Sequence, residues 1–165
     1  MKTAVIYYSL NGNCALVAKT VKDALGADIF EIKTTDTKKR KGIASFMWGI
    51  GQMLSKKKPE LMPLEVDVNT YDFIILGTPV WGASPAPAIV SFLDKNKITG
   101  KKVALFCCHA GGKGKVFDKF KALLPGNVIV GEIDFNNPSN TAKAETIPLK
   151  TRIDQWVKIL KENTK

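Results

Sequence analysis

The hexapeptide Ser9-Leu10-Asn11-Gly12-Asn13-Cys14 is polar and compact, and it stands between an apolar run and a helical pattern. At such a junction the backbone N–H groups point outward, with the positive end of the helix dipole behind them. Gly12 permits a positive φ or a close backbone approach. Ser9, Asn11 and Asn13 add side-chain donors around a common centre. That chemistry suits a phosphate monoester. It also suits plain helix capping by Asn11 or Asn13, and the hexapeptide alone leaves both open. The segment matches neither a Gly-x-x-x-x-Gly-Lys-Ser/Thr loop nor a Gly-x-Gly-x-x-Gly turn.

A second segment, "GTPVWGASPAP", contains Thr78, Pro79, Val80, Trp81, Gly82 and Ala83. Pro79, Pro85 and Pro87 stiffen it, and Trp81 sits among Pro, Gly and Ser rather than among core residues. A large apolar ring held there is a stacking platform for a planar ligand. A third, "CCHAGGKGK", offers Cys108, the only histidine His109, Ala110, Gly111 and Gly112. Its glycines let the backbone approach a ring edge. One phosphate, one planar ring and one hydrogen-bonding edge describe a mononucleotide-like ligand. Hydrolytic chemistry has little support, because there is one histidine, no Ser-His-Asp order and no metal-type spacing.

These segments need a frame. Continuous apolar runs at 4–8, 73–76, 103–107 and 128–130 read as buried parallel strands, and the alternating run at 29–32 reads as an edge. Between them lie four helical stripes. They are Leu16, Val17, Val21, Ala24 and Leu25; then Ile89, Val90, Phe92 and Leu93; then Val116, Phe117, Phe120, Leu123 and Leu124; then Ile153, Trp156, Val157 and Leu160. The long connection 33–72 carries a further stripe, Ile43, Phe46, Met47, Ile50, Met53 and Leu54, read as a helix covering the sheet, with Trp48 off the stripe. Strands alternating with helices predict an α/β fold of three α-β-α layers as a single domain over 1–165. In such sheets ligands bind at the carboxyl ends of the strands, where all three chemical segments fall.

Composition narrows the setting. The 165 residues are 45% hydrophobic, enough for a core. The first residues are not expected to form a signal peptide, and no run approaches the roughly 18 apolar residues of a membrane span. Three cysteines, Cys14, Cys107 and Cys108, suggest no disulfide framework and a cytoplasmic setting. Lys and Arg total 25 against 15 acidic residues, a net charge of +10. The excess clusters at 38–41, at 56–58 and at Lys113 with Lys115. A field of that sign favours anionic partners.

With these features in place, the sequence resembles the flavodoxin family along nearly its whole length. "YYSLNGNCALVA" is similar to that family's phosphate loop, "GTPVWGASPAP" to its first flavin-flanking loop, and "FCCHAGGKGKVF" occupies the second. The resemblance implies FMN as cofactor and a five-stranded parallel sheet of order 2-1-3-4-5. It implies that Ser9, Asn11, Gly12, Asn13 and Cys14 hold the phosphate and that Trp81 flanks the isoalloxazine. It also makes Gly82 the residue whose peptide turns when the flavin is reduced, offering a carbonyl to N5–H.

The sequence departs from the family where Asn11 and Cys14 replace hydroxyl residues. It also lacks an aromatic in the third loop, which leaves that position to His109 or to an open flavin face. The implied activity is electron transfer between redox proteins, with acidic, ferredoxin-like partners drawn by the positive charge. One alternative is an FMN-dependent reductase taking hydride from NAD(P)H for a quinone-type acceptor. Another is a flavin-free anion or nucleic-acid binder, which the lysine clusters favour little because no aromatics interleave them.

Overall fold

A computed structural model describes residues 1–36, 58–139 and 147–165. The expected helix over Ile43 to Leu54, Trp48, and the basic residues at 38–41 and 56–57 lie outside the described residues. In chain order the elements are β1 (Thr3–Tyr8), α1 (Asn13–Leu25), β2 (Asp28–Ile32) and a 3₁₀ turn at Val68–Thr70. There follow β3 (Phe73–Trp81), β4 (Ser84–Pro85), α2 (Pro87–Lys95), β5 (Lys102–His109), α3 (Val116–Ala122), β6 (Val128–Asn136) and α4 (Leu149–Asn163).

Five strands run parallel in the order β2-β1-β3-β5-β6. Counted among themselves in chain order they read 2-1-3-4-5, the expected arrangement. The sheet has six strands rather than five because β4 folds back antiparallel on β3, pairing Val80 with Pro85 and Trp81 with Ser84. Beyond β2 the chain makes an antiparallel bridge from Thr34 to Leu61.

The pleat divides the core into two layers. Ile6, Leu76 and Leu105 lie side by side in register and face one layer, closed by Ile89 and Phe92 of α2 and by Val116 and Phe120 of α3. Val5, Ile75 and Ala104 face the other, closed by Val17 and Val21 of α1 and by Ile153, Trp156 and Leu160 of α4. Burying both faces explains why β1, β3 and β5 read as unbroken apolar runs. A fully buried ring such as Phe106 contributes about 2–3 kcal/mol of hydrophobic stabilisation.

Several boundaries differ from the sequence reading. β3 continues to Trp81 and β5 to His109, so Thr78, Pro79, Val80, Trp81, Cys108 and His109 are strand residues, not loop residues. β1 ends at Tyr8, so Pro79 pairs with Cys108 in the parallel sheet and displaces no bond to β1. β6 runs six residues past the apolar triplet 128–130, and Val128 is exposed, because β6 is the second edge of the sheet. Leu16 is exposed as well, while Cys14 and Ala18 take its place on the buried stripe of α1.

Candidate functional site

Adjacent parallel strands deliver their loops to one end of the sheet, so β1, β3 and β5 bring the three sequence segments together. Contacts tie them to each other. The Tyr8 ring, ending β1, meets Trp81 edge-to-face at 6.1 Å and 83°. Gly114 lies so close to the hairpin that a Cβ there would stand 2.6 Å from Ala83 Cβ. All three segments belong to one rim.

The first segment turns at Gly12, whose φ of 84° lies in the left-handed region and which caps α1 without a side-chain bond. Neither Asn11 nor Asn13 caps the helix, so the capping role left open by the sequence is not what these side chains do. Ser9 Oγ instead accepts a bond from the Ala15 N–H at 3.2 Å, and Leu16 N–H bonds the Gly12 carbonyl at 2.9 Å. The N–H groups of Asn13 and Cys14 head the helix and have no preceding helical carbonyl to bond.

A Cβ at Gly12 would meet nothing within 4 Å, so the space above the turn is open. The Ser9 hydroxyl hydrogen remains available to an acceptor, since its oxygen already receives Ala15. The donor set therefore fits a phosphate: N–H groups, a hydroxyl and an amide, with no carboxylate among residues 9–14. Cys14 contributes differently. It is buried beneath the loop, and the buried Cys108 thiol hydrogen-bonds it. That bond, with burial, drives the Cys108 thiol far above the ordinary range, so both cysteines act as packing.

Gly82 and Ala83 form the tip of the β3–β4 hairpin with φ of 55° and 56°. Two successive left-handed residues make the turn whose twist matches a two-residue hairpin. Thr78 locks its base: the buried hydroxyl accepts the Ala86 N–H at 2.9 Å and donates to the Pro79 carbonyl at 3.0 Å. Trp81 is half-buried, packed on the core at one side. Burial, then the nearby Asp36 and Glu31, push the Tyr8 phenol up to about 12, so the ring beside Trp81 is a neutral donor.

His109 ends β5 with its side chain 9% exposed and both ring nitrogens engaged. Nδ1 accepts the Gly112 N–H at 3.1 Å, so the ring proton sits on Nε2, which donates to Asp134 Oδ2 at 3.0 Å. The other carboxylate oxygen takes Lys113 Nζ at 2.8 Å. Burial pushes the Asp134 carboxyl up, but the bonds from Lys113 and His109 outweigh it and hold the group below its usual value. His109 thus anchors the Ala110–Gly112 turn and offers no open ring for stacking, and Lys113 is an ion-pair partner rather than a bare charge.

Two residues that brace the rim escaped the sequence. Asp134 lies on the part of β6 that its apolar triplet did not reveal. Ser139, on the β6–α4 connection, bonds Asn13 across 126 positions through its N–H at 3.0 Å and its hydroxyl at 2.5 Å. Only the alternation Glu132-Ile133-Asp134-Phe135 gives any signal for the first; nothing local marks the second. Among the described residues no cluster of His, Cys, Asp and Glu could hold a metal ion, and no helix is long and apolar enough to cross a membrane.

Comparison with known proteins places this geometry. A family model described as Flavodoxin matches residues 2–157. The crystal structure of a flavoprotein in complex with FMN from Lactobacillus acidophilus is similar at 25% identity and a TM-score of 0.71, over 94% of this chain and 98% of that one. The solution structure of an apo-form flavoprotein from the same organism is 28% identical with a TM-score of 0.63, over 85% and 95%. An oxidised flavodoxin 2 from Bacillus cereus shares the fold at 19% identity and a TM-score of 0.57, over 98% and 99%. No curated protein matches the chain.

Proposed function

The chain belongs to the flavodoxin family, and we propose that it carries electrons between redox proteins, with FMN held at the strand-end rim. The family and the FMN complex of a 25% identical relative support this cofactor. The observation that carries the reading is the donor-lined, carboxylate-free turn at Ser9 to Cys14, joined through Tyr8 to Trp81 on the same rim.

FMN supplies the one- and two-electron chemistry. The chain's own residues bind, orient and shield. Ser9, Asn11, Gly12, Asn13 and Cys14 offer donors to the phosphate, Trp81 offers a ring face to the isoalloxazine, and Gly82 offers its peptide to the ring edge. The 110–112 turn, pinned by His109, borders the opposite side. With Lys113 neutralised by Asp134, the exposed Lys115 is the nearest unmatched charge in that loop for steering an acidic partner. Three buried free thiols fit a reducing, cytoplasmic setting.

A second reading is favoured by one feature: residues 110–115 are exposed and include no aromatic side chain. An open flavin face there admits a nicotinamide, as an NAD(P)H-dependent reductase requires. Anaerobic absorbance titration of FMN-loaded protein separates the two. A carrier is reduced slowly or not at all by NADPH and NADH but fully by dithionite. Prompt bleaching by one nucleotide would overturn the carrier reading.

A further inference from the structure

Asn13 is the first residue of α1, and what its carboxamide presents to a ligand depends on which of its two end atoms is committed elsewhere. The backbone N–H of Ser139 can only donate, so the Asn13 atom 3.0 Å from it is the amide oxygen. The Ser139 hydroxyl reaches that same oxygen at 2.5 Å. Both bonds come from one residue, and together they occupy both lone pairs of Oδ1. The Asn13 Nδ2 is then the amide atom left for any other partner.

An unheld asparagine turns its amide over at little cost. In one orientation it gives a phosphate two N–H donors; in the other it gives lone pairs that repel the anion. We infer that Ser139 is a positioning residue of the phosphate site, fixing Asn13 so that Nδ2 faces the ligand. Ser139 thereby adds a fourth part to the site, reached because α1 and α4 lie side by side on one face of the sheet. This inference rests on the reading that the turn at 9–14 holds the phosphate of FMN.

The test compares FMN with riboflavin, which has the same ring and no phosphate, by fluorescence quenching on apoprotein. Ser139→Ala, which loses the hydroxyl bond and keeps the N–H bond to Asn13, is expected to raise the FMN Kd about threefold and to leave the riboflavin Kd unchanged. Ser139→Thr keeps both donors and is expected to restore FMN binding. Asn13→Ala is expected to weaken FMN binding, and adding Ser139→Ala to it to change nothing further, because the second residue acts only through the first.

If Ser139→Ala binds FMN like the parent, the inference falls while the FMN reading stands. Equal weakening of FMN and riboflavin would mean that Ser139 merely supports the fold, which also overturns it. Additive losses in the double variant would do the same. A parent protein that binds FMN no better than riboflavin would remove the phosphate reading itself, and the inference with it. Unchanged riboflavin binding shows that each variant is folded.

Discussion

His109 and Asp134 form a hydrogen-bonded pair, Nε2 to Oδ2 at 3.0 Å, across neighbouring strands β5 and β6. The pair is completed by Lys113 on the second carboxylate oxygen and by Gly112 on the second ring nitrogen. One carboxylate thus fixes both ends of the 109–113 turn.

A pH dependence follows from it. The Asp134 carboxyl is held below its unfolded value, so its contribution is present above about pH 4 and is lost as pH falls through the folded value. The hydrogen bond from Lys113 to Asp134 raises the Lys113 ammonium, so that contribution is present below about pH 10 and lost as pH rises through the folded value. Asp134→Asn is expected to lower stability between these limits and to flatten both edges. Urea unfolding across pH 2 to 11 measures this; parallel curves for parent and variant would contradict it.

Gly77 and Phe106 pair across β3 and β5, and the glycine exists to admit the ring. A Cβ at position 77 would stand 1.9 Å from Phe106 Cζ, and three ring atoms lie within 2.5 Å. Gly77→Ala is expected to cost about 3 kcal/mol, at the upper end of overpacking, since the ring is enclosed and cannot swing away. Adding Phe106→Leu should recover part of that loss. Chemical denaturation of the two single variants and the double reads the coupling directly.

The sequence disclosed the layers because its strongest signals are those of burial. β1, β3 and β5 are covered on both faces, so Val5 to Tyr8, Phe73 to Leu76 and Val103 to Cys107 could only be continuous apolar runs. Their carboxyl ends were harder. Thr78 to Trp81 and Cys108 to His109 remain strand because a neighbouring strand pairs with them, which composition does not express. β6, at an edge, mixes Glu132 and Asp134 with apolar residues and was cut short. The hairpin tip escaped because Ala83 occupies a left-handed position normally marked by Gly or Asn. The links from Ser139 to Asn13 and from His109 to Asp134 join distant positions, and no periodicity encodes such pairs.

Ala83 and Gly114 make the second close approach of the rim. A side chain on Gly114 would stand 2.6 Å from Ala83 Cβ, and the φ of 52° already disfavours any L residue there. Gly114→Ala therefore carries two penalties, of which Ala83→Gly should relieve the steric one. Gly114→Ala is expected to destabilise by about 2 kcal/mol in the parent and by about 1 kcal/mol in the Ala83→Gly background. Additive losses in thermal unfolding would show that the two loops do not touch in solution.

Trp81 is the ring on which the proposed flavin stacking depends. It ends the longest central strand, its indole is braced by Tyr8, and the Gly82–Ala83 tip turns the chain back so that Ser84 pairs with it. On the proposed reading this ring stacks the isoalloxazine, so its loss should weaken FMN and riboflavin alike, in contrast to changes at the 9–14 turn. Trp81→Ala is expected to raise both Kd values by about ten- to a hundredfold, by analogy with base–aromatic stacking. Trp81→Phe, which keeps a smaller face, should fall between. Emission of the bound flavin should rise in the same order, because a stacked indole quenches it. A Trp81→Ala protein that binds both flavins at parental strength would place the isoalloxazine elsewhere on the rim.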